Sequence, residues 1–137
     1  MIPKPEKRSR KPKRPLRRKS KRKAKLHDAD KLFSELIRSR DGWACRACGD
    51  PYRPQCSHLV SRRYRAVRWS TENAVCLCSR HHTYYTHRPL EWEAWCEERW
   101  PGRLGLLKAR ALAGVAKVDY AAICESLRLA LALGRKG

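Results

Sequence analysis

The sequence predicts an α+β fold, a small two-stranded core held by cysteine and histidine, flanked by helices and preceded by a disordered basic arm. Three observations carry that expectation. Of 33 Lys and Arg, set against 13 Asp and Glu for a net charge of +20, 14 fall in the first 25 residues beside one acid, Glu6. Five of the seven cysteines and four of the five histidines lie between Trp43 and His87. On both sides of that segment, apolar residues recur at helical spacing.

Residues 1–25 form the arm: like charges and Pro3, Pro5, Pro12 and Pro15 oppose both helix and collapse. The spacing of Leu32, Phe33, Leu36 and Ile37 then predicts an amphipathic helix from Asp28 to Arg40, stopped by Asp41-Gly42. Gln55 to Val60 and Asn73 to Cys78 read as two strands joined by a basic loop, and a short helix follows. Glu91 to Trp100 reads as a helix behind Pro89, closed by Pro101-Gly102, with Trp92, Trp95 and Cys96 on one face as core. From Leu104 to Gly134, Ala and Leu alternate with few charges and predict two helices, the second capped by Asp119. Their apolar face needs cover, from the central domain or from a second copy of the chain. The expected division is 1–25 arm, 26–102 central domain and 103–137 helical tail.

An odd number of cysteines without an export signal argues for metal ligation over a disulfide framework. Cys45 and Cys48, ahead of Gly49, have the two-residue spacer that turns both thiolates toward one ion. Cys78 and His81 repeat the spacing, and a Cys3His set is a closed structural zinc site. Cys76 is the alternative to Cys78, although it alternates with Val75 and Leu77 as along a strand. The 29 residues between the pairs exceed a zinc-ribbon loop, so something folded lies between them.

That intervening order is specific: CxxC, a strand with His58, a basic loop, Asn73, a returning strand, then Cys78-x-x-His81 and His82. It resembles the HNH endonucleases of the ββα-metal (His-Me finger) superfamily in their zinc-bracketed form. The small bacteriophage HNH proteins are the most similar, sharing a Ser61-Arg62-Arg63 and Arg68-Trp69 loop and a Pro89 to Trp92 stretch. The resemblance covers about Ile37 to Arg99. It implies a ββα-metal core, His58 as general base, Asn73 orienting the loop or His58, and His82 as a ligand of a divalent catalytic metal such as Mg²⁺, Mn²⁺ or Ni²⁺. It also implies that Arg62, Arg63, Arg65 and Arg68 bind flanking phosphates. Where the family has Asp or His before the general base, this chain has Ser57, so the metal shell falls to Asn73, His87, or water and phosphate oxygens.

The expected function is a metal-dependent DNA endonuclease, phage or prophage encoded and acting in the cytoplasm of a bacterial host. The alternative is a noncatalytic, zinc-stabilised DNA-binding or recombination accessory protein. The charge demands a polyanion, and nucleic acid answers it because neutralised phosphates release counterions. A zinc-ribbon RNA binder leaves His58, Asn73 and His82 unexplained. No apolar run approaches the ~20 residues needed to span a bilayer, and no apolar segment follows the basic N-terminus as in a signal peptide, so neither a membrane protein nor a Sec-secreted one is expected.

Overall fold

The computed structural model describes residues 20–134. Residues 1–19 of the expected basic arm, and the last three residues, lie outside the described residues. The chain runs α1 (Lys21–Arg40), β1 (Gln55–His58), a 3₁₀ turn (Thr71–Asn73), β2 (Ala74–Leu77), α2 (Ser79–Thr86), α3 (Pro89–Arg99), α4 (Arg103–Ala113) and α5 (Tyr120–Gly134). This is an α+β arrangement in which two antiparallel strands are followed directly by a helix.

One boundary is corrected at the start of the chain. The arm was expected to reach residue 25, with the helix beginning at Asp28, yet α1 begins at Lys21, where the Ser20 hydroxyl accepts from the Lys23 amide at 3.4 Å. No proline follows Pro15 until Pro51, and Lys, Arg and Ala are good helix formers. Tertiary support comes from α5: the Arg22 guanidinium lies 6.0 Å from the Tyr120 ring centre, and the Cys124 thiol lies 3.7 Å from the Lys25 carbonyl. At its other end α1 stops at Asp41, and Gly42 takes the positive φ of 68° that a side chain would oppose.

The two strands pair Gln55 with Leu77, Cys56 with Cys76, Ser57 with Val75 and His58 with Ala74. Because side chains alternate across a strand, this register gives the ribbon two working faces. On one, Val75 and Leu77 join Val67, Trp92, Cys96 of α3 and Leu104 and Leu107 of α4. On the other, Ala74 meets Phe33 and Ile37 of α1 and Leu127 of α5, with Cys56 and Trp69 beside them. Each tail helix buries one face within this chain, α4 on one core and α5 on the other, while Leu106, Leu112, Leu129 and Leu133 stay exposed. Asp119 caps α5, its carboxylate accepting from the Ala121 and Ala122 amides at 3.0 and 3.1 Å.

The free edge of β2 is occupied rather than open. Cys76 donates its amide to the Asp41 carboxylate (2.8 Å) and accepts from the Arg46 amide (2.9 Å), while Arg40 donates to the Ala74 and Thr71 carbonyls at 2.9 and 2.7 Å. No described helix is long and apolar enough to cross a membrane.

Candidate functional site

Cys45, Cys48, Cys78 and His81 converge, with one ligand atom from each lying within 4.8 Å of all the others. Three of the donor separations match those of a zinc tetrahedron. Zinc with Zn–S of about 2.3 Å and Zn–N of about 2.0–2.1 Å sets its sulfurs about 3.8 Å apart and sulfur from nitrogen about 3.6 Å apart. Here Cys48 Sγ and Cys78 Sγ are 3.9 Å apart, and His81 Nδ1 lies 3.6 Å from Cys45 Sγ and 3.4 Å from Cys78 Sγ. The donor set therefore fits zinc.

Local backbone accounts for the convergence. The Gly49 amide donates to the Cys45 carbonyl at 2.7 Å in a tight turn whose positive φ (78°) only glycine takes without cost. Cys78 is the N-cap of α2, and its sulfur accepts from the His81 amide at 3.5 Å. At Cys45, burial pushes the thiol up, but the backbone amides of Cys78, Cys48 and Ala47 outweigh it and hold the thiol below its ordinary value. Cys76, the alternative ligand, lies instead across the ribbon from Cys56. Burial raises these two thiols to about 11 and about 12, so both stay protonated.

The two remaining histidines of the pattern lie at the ribbon end. His58 stacks on Phe33 of α1, ring centres 5.5 Å apart, and its Nε2 lies 2.9 Å from the Arg68 carbonyl. A carbonyl can only accept, so Nε2 carries the proton and Nδ1 keeps the lone pair. Burial above all, then the Arg62 and Arg68 cations, hold His58 below its ordinary value near 6.5, against the Arg68 carbonyl and Asp30. His82 lies one residue beyond the last zinc ligand, where the Ser57 hydroxyl is 2.7 Å from its Nδ1. Burial lowers His82 as well. A hydroxyl accepting from Nδ1–H leaves Nε2 free for an ion, the way histidine ligands are commonly oriented by an acceptor behind them.

Both imidazoles line two adjoining clefts. One, of about 410 Å³, is bounded by Ser57, Ser61, Tyr85, Thr86, Pro89 and Trp92, and the other, of about 340 Å³, by Asp30, Phe33, Ser34 and Arg62. Among the described residues only the Cys3His set groups three or more His, Cys, Asp or Glu donors, so the chain offers a second ion at His82 few further ligands.

Asn73 is fully buried and faces neither cleft. Its Oδ1 accepts from the Val60 amide at 2.7 Å, and its Nδ2 donates to the Val60 and Val67 carbonyls at 3.0 Å each. Its own carbonyl accepts from the Leu59 amide at 2.8 Å. The side chain pins both ends of the basic loop and is buried away from the clefts where a metal would sit; His87, the other alternative ligand, is an exposed C-cap of α2. Replacing Asn73 with Ala strands three buried backbone contacts and is expected to cost about 3 kcal/mol in urea unfolding, since each unmet buried group costs about 1–3 kcal/mol. A loss below about 0.5 kcal/mol, the usual size for a surface change, would contradict the pinning role.

The four loop arginines divide. Arg62, Arg63 and Arg65 are exposed, and Arg62 borders the His58 cleft. Arg68 does not belong with them as a phosphate ligand: its guanidinium is spent on both oxygens of Asp30 (2.9 and 2.6 Å) and on the Arg62 carbonyl (3.1 Å). Asp30 also accepts from the Trp69 indole at 3.1 Å, tying the loop to α1. Sequence reasoning missed Asp30 and the role of Phe33. The signal available was an acid one turn before Phe33, on the flank of an otherwise apolar helix face. No family model, curated protein or solved structure matches the chain.

Proposed function

We propose that the protein is a zinc-braced, metal-dependent DNA endonuclease of the HNH type. One observation carries the reading: His58 and His82 line the same clefts at the strand end and first turn of a strand–strand–helix unit, and His58 is held with its basic nitrogen free. A neutral imidazole with a lowered pKa is suited to take the proton of a water attacking phosphorus. The Arg68 carbonyl fixes the tautomer, Phe33 fixes the ring plane, and exposed Arg62 offers the neighbouring phosphate a cation. When bound at His82, a divalent cation supplies neutralisation of charge on the phosphate and its leaving oxygen. With one imidazole from the chain, oriented by the Ser57 hydroxyl behind it, the rest of the shell would be water and phosphate oxygen.

That donor set favours ions with affinity for imidazole, so Mn²⁺, Co²⁺ or Ni²⁺ should support nicking of supercoiled plasmid better than Mg²⁺. Ser57→Asp places a carboxylate beside His82 and should raise the Mg²⁺-supported rate by about tenfold or more, on the scale of a single metal-site partner. Plasmid binding in EDTA without nicking in any of these ions, by wild type and by Ser57→Asp, would leave the noncatalytic DNA-binding reading in place.

A further inference from the structure

A third cleft, of about 640 Å³, opens between the first turns of α1 and the connector from α4 to α5. Its cations come from three separate parts of the chain: Lys21, Arg22 and Lys25 from α1, Arg65 from the basic loop, and Lys117 from the connector. All five are exposed, and among the described residues none forms an ion pair. The one acid at the cleft, Asp119, is occupied in capping α5.

Folding alone does not favour this arrangement. Lys21 and Lys25 stand one turn apart as like charges, and the first turn of α1 carries cations and no acid where the helix dipole favours negative charge. A concave surface of five unpaired cations answers a ligand with several regularly spaced negative charges. Arg65 supplies the direction. It shares the loop pinned by Asn73 with Arg62, which borders the His58 cleft, so one basic loop borders both clefts.

We infer that this cleft binds the phosphodiester backbone of nucleic acid and holds the duplex that flanks the His58 site. The path of the strand rests on the nuclease reading, whereas binding in the cleft does not. A lipid surface fits less well, because the lining carries no exposed apolar side chain larger than Val115.

The test compares full-length protein carrying Lys21→Gln, Lys25→Gln, Arg65→Gln and Lys117→Gln with a control of equal charge loss elsewhere, Lys31→Gln, Arg53→Gln, Arg88→Gln and Arg128→Gln. Binding is measured in EDTA to duplex DNA of about 10 and about 30 bp, roughly one and three helical turns. Duplex RNA and vesicles containing phosphatidylglycerol form the other arms. The cleft variant should bind the longer DNA at least tenfold more weakly than the control does. Its slope of log affinity against log salt should fall by about 2–4, near 0.9 per lost phosphate contact. Binding of the short duplex should change much less. Equal loss in the control, equal loss on the short duplex, or an unchanged slope would overturn the assignment, as would a defect confined to vesicles. A larger loss on RNA than on DNA keeps the cleft and changes its nucleic acid. If neither protein nicks plasmid while the slope difference persists, the nuclease reading fails and the cleft stands.

Discussion

Cys45→Ser is expected to unfold the central domain at ordinary temperature. In a site with three thiolates and an imidazole at tetrahedral separations, metal binding supplies on the order of 10 kcal/mol of apparent folding free energy. A domain whose whole stability is about 5–15 kcal/mol does not survive that loss. The four ligands also join two parts of the chain: Cys45 and Cys48 sit on a turn between α1 and β1, whereas Cys78 and His81 begin α2. Purified protein should contain one zinc per chain, and a strong chelator should remove the thermal transition together with the metal. Cys76→Ser provides the contrast, since that thiol is protonated, faces Cys56 and should affect melting only as a core substitution. Folded protein free of zinc, or a Cys45→Ser variant melting like wild type, would refute the site.

What was legible in the sequence was whatever depends on short spacing. The two-residue spacer of each zinc pair, the alternation that placed Cys76 on a strand, and the Asp119 cap are all encoded within a few residues. The start of α1 was not. A run of Lys and Arg reads as a repelling arm, and only Tyr120 and Cys124, about a hundred residues later, show why the helix extends back to Lys21. The four loop arginines are equivalent by charge, so sequence could not separate Arg68 from Arg62. The distinction lies in Asp30, which α1 brings against the loop. The strand containing His58 was readable, but its tautomer was not, because that is set by a carbonyl ten residues further on. Asn73 was marked as orienting the loop or His58; its three side-chain hydrogen bonds all go to the loop backbone.

His58→Ala should reduce nicking by about 10²–10⁴-fold, the usual contribution of a positioned general base, while DNA affinity and zinc content stay near wild type. His82→Ala should lower cleavage and also raise the divalent-ion concentration needed for half-maximal rate, because in the proposed mechanism that ring would hold the ion rather than the proton. The pH dependence has a definite sign. Only neutral His58 can accept a proton, and burial first, then Arg62 and Arg68, hold its pKa below 6.5 against Asp30 and the Arg68 carbonyl. The rate should therefore rise with pH through a midpoint below 6.5 and level off above it. Stability follows the same direction. On acidification the unfolded chain takes up this proton first, near 6.5, so the folded state loses stability from about 6.5 down to the lower folded pKa. His82 carries the same sign, so the His58→Ala variant should lose part of this acid sensitivity and keep the rest. Removing the Asp30 carboxylate, as Asp30→Asn, removes a group that favours protonated His58 and should move the rate midpoint further down. It also frees the Arg68 guanidinium that anchors the carbonyl behind His58, so the plateau rate should fall as well. A His58→Ala enzyme that nicks at the wild-type rate, or a rate that declines above pH 6.5, would remove His58 from the role of base.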